Sequence, residues 1–283
     1  MTGRLLSFGH GYSARGVAQL LVSDGWDVLG TTRSRDNFEM IRASGVSPLL
    51  FTKNDLSGVL EGVTHLLISA APDADGDPVL NLLGDEIAKR RGQFEWVGYL
   101  STTGVYGDHQ GGWVDEATPL TPSTMRGKYR VAAEIAWQEM GLPLHIFRLA
   151  GIYGPGRGPF SKVKSGKARR IIKEGQVFSR IHVADIAQTI LASIDKPNAG
   201  AVYNVCDNFA APPEDVIAYA AELLGLPVPK DDDFETADMT PMARSFYSES
   251  KRVKNDRVKN DLGISLIYPD YKAGLRALLA DAT

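Results

Sequence analysis

The succession of strand, glycine turn, helix and strand at the start of the chain constrains its fold more than any other feature. RLLSF, residues 4–8, is a short apolar run. It leads into Gly9-His10-Gly11-Tyr12-Ser13-Ala14, which fits the pattern G-x-G-x-x-G/A. ARGVAQLLVSDG then carries apolar residues at helical spacing and stops at Gly25. WDVLGTTR reads as a second strand. Two strands joined through a helix pair in parallel, because a tight hairpin joins only antiparallel neighbours. A parallel pair needs helices on both faces, so the rest of the chain is expected to supply alternating strands and helices.

It does so as far as Gly154. VSPLLF and THLLISAAP read as strands, PVLNLLGDEIAKRR as a helix and FEWVGYLSTT as a strand. Residues 123–140 read as a helix ended by Gly141 and Pro143, and LPLHIFRLAGIYG as a strand running into a loop. The expected fold is a doubly wound, Rossmann-type parallel α/β sheet with a smaller C-terminal lobe. Residues 1–154 form the expected dinucleotide-binding core, completed by about 176–206, and residues 155–283 mainly the substrate lobe. HVADIAQTILASI and PPEDVIAYAAELLG read as helices, with AVYNVCD between them as a strand. The basic stretch 162–170 reads as a solvated loop, and DDDFETADMTPMARSFYSES as a long surface connection. RVKNDRVKND reads as one short solvated helix.

Composition narrows the partners. A net charge of -3 over 283 residues gives no basic field for nucleic acid or an anionic membrane. The single cysteine, Cys206, excludes an internal disulfide framework. No run approaches the ~18–20 apolar residues of a membrane span. MTGRLLSFGHG lacks a signal-peptide pattern, so a cytoplasmic setting is expected. Asp73-Ala74-Asp75-Gly76-Asp77 resembles a calcium loop only in its acids. Pro78 and Gly84 stand where an EF-hand needs glycine and glutamate, so no metal site is expected.

In the 9–14 turn, Gly9 permits the tight bend and Gly11 lets backbone approach a pyrophosphate. Tyr12, Ser13 and Ala14 open the helix whose free amides would bind it. Ala70, at the end of the THLLISAAP strand, joins this cofactor set. The second strand ends Thr31-Thr32-Arg33-Ser34-Arg35, with no acid to take a ribose 2′-hydroxyl. Thr32, Arg33 and Arg35 suit a 2′-phosphate, so NADP is the expected cofactor, with NAD the alternative.

Four further stretches occur in a telling order. These are LSTTGVYGD (100–108), DEATPLTP (115–122), FRLAGIYGPGR (147–157) and RIHVADIAQTI (180–190). Together they resemble the extended short-chain dehydrogenase/reductases, the NAD(P)-dependent epimerase/dehydratase family. The resemblance covers roughly residues 3–225 and implies a small-molecule substrate. It places the family's catalytic serine or threonine at Thr102. Its helix motif Y-x-x-x-K-x-A-A-E, aligned on Ala132-Ala133-Glu134, puts Arg126 in place of the tyrosine and Arg130 in place of the lysine. An arginine stays charged and is a poor proton shuttle. Arg126 is therefore expected to hold an anion, and Arg130 to keep the lysine's hydrogen-bonding role. Tyr129 is a displaced acid to consider; Tyr106 and His109 are weaker candidates. The family also implies a homodimer through residues 78–91 and 123–140, with Val131, Ile135 and Trp137 as apolar surface. Two functions follow: an atypical NADP-dependent oxidoreductase, epimerase or dehydratase, or a non-catalytic dinucleotide sensor.

Overall fold

A computed structural model describes residues 2–281; Met1 and the last two residues of the expected 155–283 lobe lie outside them. β1 (Arg4–Phe8), β2 (Asp27–Thr32), β3 (Ser47–Leu50), β4 (His65–Ile68) and β5 (Trp96–Thr102) join strands Leu144–Leu149 and Val202–Val205 in one seven-stranded sheet. The spatial order is β3-β2-β1-β4-β5, then Leu144–Leu149 and Val202–Val205. Every pairing is parallel; Leu5, for example, stands between Val28 and His65. The order reverses between β1 and β4. In such sheets the crevice beyond the carboxyl ends at this point is where ligands bind.

The strands read as unbroken apolar runs because both faces are covered. Leu5, Leu67, Trp96 and Leu100 pack beneath α1 (Tyr12–Ser23) and helix Val183–Asp195. Leu6, Phe8, Leu66, Ile68, Val97 and Tyr99 pack beneath helices Pro78–Lys89 and Met125–Glu139. Asp77 caps the first of these by accepting from the Val79 and Leu80 amides at 2.9 and 3.1 Å. Thr124 caps the second by accepting from the Gly127 amide at 3.1 Å. The helix expected over 123–140 thus starts after Thr124, and Ser123 instead donates to Glu249.

Three expectations for the chain beyond residue 141 are corrected. The supposed surface connection contains strand Asp231–Asp233, which pairs with Arg170–Ile172, and helix Pro241–Phe246. RVKNDRVKND is not one helix: Arg252–Val253 pairs with Trp113–Val114, and only Asp256–Leu262 is helical. Identical pentads diverge because their distant partners differ. Within the first pentad Asn255 donates to the Cys206 carbonyl (2.7 Å) and to Asn208 Oδ1 (3.0 Å), which anchors the chain just past the strand. The strand expected to run from residue 142 into a loop is two strands, Leu144–Leu149 in the sheet and Gly151–Tyr153 paired with Arg180–His182. Helix Tyr271–Ala280, absent from the sequence reading, packs Tyr271 and Leu275 on Val216, Ala220 and Ala221 of helix Pro213–Leu223.

Trp137 is fully buried, with its ring 6.3 Å from that of Tyr99, so it offers no outer surface for helix pairing. Met125 and Ile135 of the same helix are exposed. Among the described residues no helix is long and apolar enough to cross a membrane.

Candidate functional site

The phosphate turn sits at the reversal point of the sheet. Gly9 has φ 74°, donates its amide to Thr31 Oγ1 (2.9 Å) and accepts the Ser69 hydroxyl. A Cβ on Gly9 would lie 2.8 Å from the Ala70 amide nitrogen. Only glycine lets the ends of β1 and β4 approach this closely, which places Ala70 against the turn. Gly11 is different. A Cβ there would meet nothing nearer than the Gly9 carbonyl at 3.6 Å, so its outer side is open. Gly11 begins α1 without a side-chain cap, and the first amide to reach back to the helix start is that of Arg15 (2.9 Å to the Gly11 carbonyl). The amides of Tyr12, Ser13 and Ala14 therefore have no carbonyl within the helix and suit an anion. Ser13 and Ala14 are buried, which keeps α1 tight on the sheet. An open Gly11, free amides and a close β1–β4 approach fit a dinucleotide pyrophosphate.

His10 belongs to this turn, and the sequence reading gave it no role. It is 5% exposed, neither ring nitrogen has a hydrogen-bond partner, and a Cβ on Gly30 would strike its ring at 2.7 Å. Burial, helped by Arg15, brings its pKa down to about 4, so the imidazole is neutral. The available signal was Gly30, a glycine inside a strand, which marks close approach by another group.

At the end of β2, Thr32 Oγ1 accepts from Asn37 Nδ2 at 2.9 Å and from the Ser34 amide at 3.3 Å. Arg35 stands 3.6 Å from the Asp55 carboxylate and 5.6 Å from the Phe38 ring centroid. Asp36 accepts the Ser34 hydroxyl at 2.9 Å. Arg33 is exposed, with no ion pair or hydrogen bond among the described residues. One guanidinium is thus free at this edge, and the other is shared with a carboxylate.

The candidate residues Thr102, Arg126 and Arg130 lie where β5 meets helix Met125–Glu139. Thr102 ends the strand and accepts from the Gly104 amide at 3.1 Å. A Cβ on Gly127 would lie 2.9 Å from the Gly104 carbonyl, so this glycine lets the helix start rest on the turn after Thr102. Arg126, one residue earlier, is exposed and has no ion pair or hydrogen bond among the described residues. Arg130 donates to Tyr99 Oη (3.0 Å) and to the Leu100 carbonyl (2.8 Å), which pins the helix to β5. Tyr129 is half-buried, and its phenol makes no hydrogen bond among the described residues.

Tyr106 is engaged elsewhere. Its hydroxyl accepts from Arg148 (2.9 Å) and donates to Asn204 Oδ1 (2.7 Å), and burial raises its pKa. His109 has a ring nitrogen 3.1 Å from the Tyr106 carbonyl. Behind them Arg148 forms a two-pronged pair with Glu134 at 2.8 and 3.2 Å, both side chains almost fully buried, and Ser101 donates to the same carboxylate. This network was not foreseen. Lys251, also unforeseen, is buried and donates to the Gly107 carbonyl (2.6 Å) and to Glu249 (2.7 Å), so it ties the C-terminal lobe to the turn beside Thr102.

The comparisons with known proteins bear on the family and the fold. The sequence model of the NAD dependent epimerase/dehydratase family matches residues 79–206. Protein YeeZ of Escherichia coli (strain K12) is 30% identical over 281 residues, which span 93% of this chain and 95% of YeeZ. A conserved protein of unknown function from Silicibacter pomeroyi DSS is 64% identical in structure-based comparison, with a TM-score of 0.95 and 99% of each chain covered. The dTDP-glucose 4,6-dehydratase of Bacillus anthracis, solved in complex with NAD, shares the fold. It has a TM-score of 0.80 at 18% identity, over 99% of this chain and 96% of that one. By these matches and its parallel seven-stranded sheet, the chain belongs to the NAD-dependent epimerase/dehydratase family.

Proposed function

We propose that this chain is an atypical NADP-dependent oxidoreductase, epimerase or dehydratase acting on a small polar or anionic metabolite. The observation that carries the reading is the open 9–14 turn, with its free amides, at the same carboxyl end of the parallel sheet as Thr102. Residues 1–154, completed by about 176–206, hold the dinucleotide in this reading, and the elements that follow supply most of the substrate contacts. A bound nicotinamide supplies hydride transfer. Thr102 then hydrogen-bonds the reacting oxygen, Arg130 fixes the helix, and Tyr129 is the phenol left free to move a proton. Nucleotide-activated sugars are the first substrates to test, because the Bacillus anthracis neighbour is named for one. Turnover is read as a change in 340 nm absorbance when the protein is mixed with NADPH or NADP+ and such substrates. Absence of turnover across carbonyl and sugar-nucleotide panels would contradict the enzyme reading.

A second reading, a dinucleotide sensor without catalysis, rests on the alignment that the family resemblance implies, in which Arg126 and Arg130 stand where the family has its tyrosine and lysine. A partner that binds only one redox state of the loaded protein, without turnover, would support it.

The free Arg33 makes cofactor choice testable. Calorimetry is expected to show NADP(H) binding about tenfold tighter than NAD(H), the contribution of one charge-assisted bond to a phosphate. Arg33→Ala should erase that preference. Equal affinities in the wild type would refute NADP selection.

Arg126 has a separate test. As an exposed cation beside the Thr102 turn, it is proposed to bind a carboxylate or phosphate of the substrate. Arg126→Ala should lower kcat/KM for anionic substrates about tenfold, with the dinucleotide Kd unchanged. An unchanged kcat/KM would remove Arg126 from the site.

A further inference from the structure

The first side chain of α1 leaves the phosphate turn and meets a loop of the outer lobe. The Tyr12 hydroxyl donates to the Pro155 carbonyl at 3.0 Å, and the Arg157 guanidinium lies 5.5 Å from the Tyr12 ring centroid. Gly154 and Arg157 exchange two backbone hydrogen bonds of 2.9 Å, closing a tight turn over residues 154–157. Gly154 has φ 152°, and a Cβ there would lie 2.6 Å from the Tyr12 hydroxyl and 2.7 Å from Val183 Cγ1. The turn is therefore pressed against both Tyr12 and the start of helix Val183–Asp195, and glycine alone permits that approach.

Arg157 is exposed and has no carboxylate partner among the described residues. Its charge reaches the phenol all the same. Burial raises the Tyr12 pKa, while Arg157 and then Arg15 oppose the rise. Two guanidinium groups thus border the helix start whose amides are free. The imidazole of His10, which precedes Gly11 and packs its ring against Gly30, is buried with both nitrogens unpartnered. A guanidinium over a ring is held more weakly than one bonded two-pronged to phosphate oxygens. Pro155, Gly156 and Gly158 flank Arg157 and are exposed, so little packing holds the arginine where it stands.

We infer that Arg157 is a phosphate clamp that leaves the Tyr12 ring and closes over the pyrophosphate of the bound dinucleotide, opposite the amides of α1. The inference rests on the dinucleotide reading above. It makes the outer lobe sense cofactor occupancy through one side chain. Tyr12 parks the cation near its target in the free protein, and its bond to Pro155 keeps the turn within reach.

Two measurements on the full chain test this. In calorimetry, Arg157→Gln is expected to weaken NAD+, NADP+ and ADP-ribose alike, each about tenfold, and to leave adenosine unchanged. In limited trypsin digestion, the exposed Arg157–Gly158 bond should be cut in the free protein and protected by saturating ADP-ribose. Adenosine should not protect it, and cleavage after Lys164 serves as the internal control. Unchanged dinucleotide affinity in Arg157→Gln would overturn the clamp. So would a loss confined to NADP+, which would put Arg157 at the 2′-phosphate instead. If the wild-type chain binds no dinucleotide, the family-based reading fails and the clamp with it. Wild-type binding with an indifferent Arg157→Gln variant sinks the clamp alone.

Discussion

Gly11→Val is expected to abolish dinucleotide binding while leaving the apo protein folded. Gly11 has φ -97° and ψ -157°, an extended conformation that any residue adopts, so valine brings no backbone strain. Its Cβ meets only the Gly9 carbonyl at 3.6 Å, an ordinary contact, and the rest of the side chain projects into the open side of the turn. That is the space a pyrophosphate needs to reach the Tyr12, Ser13 and Ala14 amides. Affinity should fall by at least about a hundredfold, or ~2.7 kcal/mol. The apo thermal midpoint should move by no more than about 2 °C, as for a surface substitution. Gly9 makes the contrast. There φ is 74° and a Cβ would press on the Ala70 backbone, so Gly9→Ala should damage stability and binding together. An unchanged Kd in Gly11→Val would show that the cofactor lies elsewhere.

Glu134→Ala is expected to cost about 3–5 kcal/mol of folding stability, the usual result of removing one partner of a buried ion pair. The Arg148 side chain is 6% exposed and that of Glu134 is 2% exposed. Without the carboxylate, the guanidinium keeps only the Tyr106 hydroxyl among the side chains it bonds here. Tyr106 in turn holds Asn204 on the edge strand, so the loss spreads from β5 to the far side of the sheet. Replacing both charges, Glu134→Leu with Arg148→Met, should cost less than the single change, because no charge is then stranded. Urea unfolding measures both. A double variant at least as unstable as Glu134→Ala would contradict the account.

How much of this was legible in the sequence depended on how local the cause was. The 9–14 turn and the strands around it could be read because their signals lie within a few residues of one another. The start of helix Met125–Glu139 was read two residues early because Ser123 and Thr124 both look like caps; only the partner Glu249, far along the chain, decides between them. Ala132-Ala133-Glu134 could be aligned, but the role of Glu134 depended on meeting Arg148, which no spacing rule announces. The same limit explains RVKNDRVKND, where the first pentad becomes strand because Trp113–Val114 lies beside it. At the start of helix Met125–Glu139 the sequence located Arg126 and Arg130 but not their directions. Arg130 turns onto Tyr99 and the Leu100 carbonyl, while Arg126 points to solvent.

The most direct test is a calorimetric titration of the purified chain with NADPH, repeated with Gly11→Val. The wild type is expected to show one saturable site per chain, displaced by NADP+ more readily than by NAD+, and the variant no measurable heat of binding. A wild-type chain that does not saturate with NADPH, or a Gly11→Val chain that binds it as well as the wild type, would contradict this expectation.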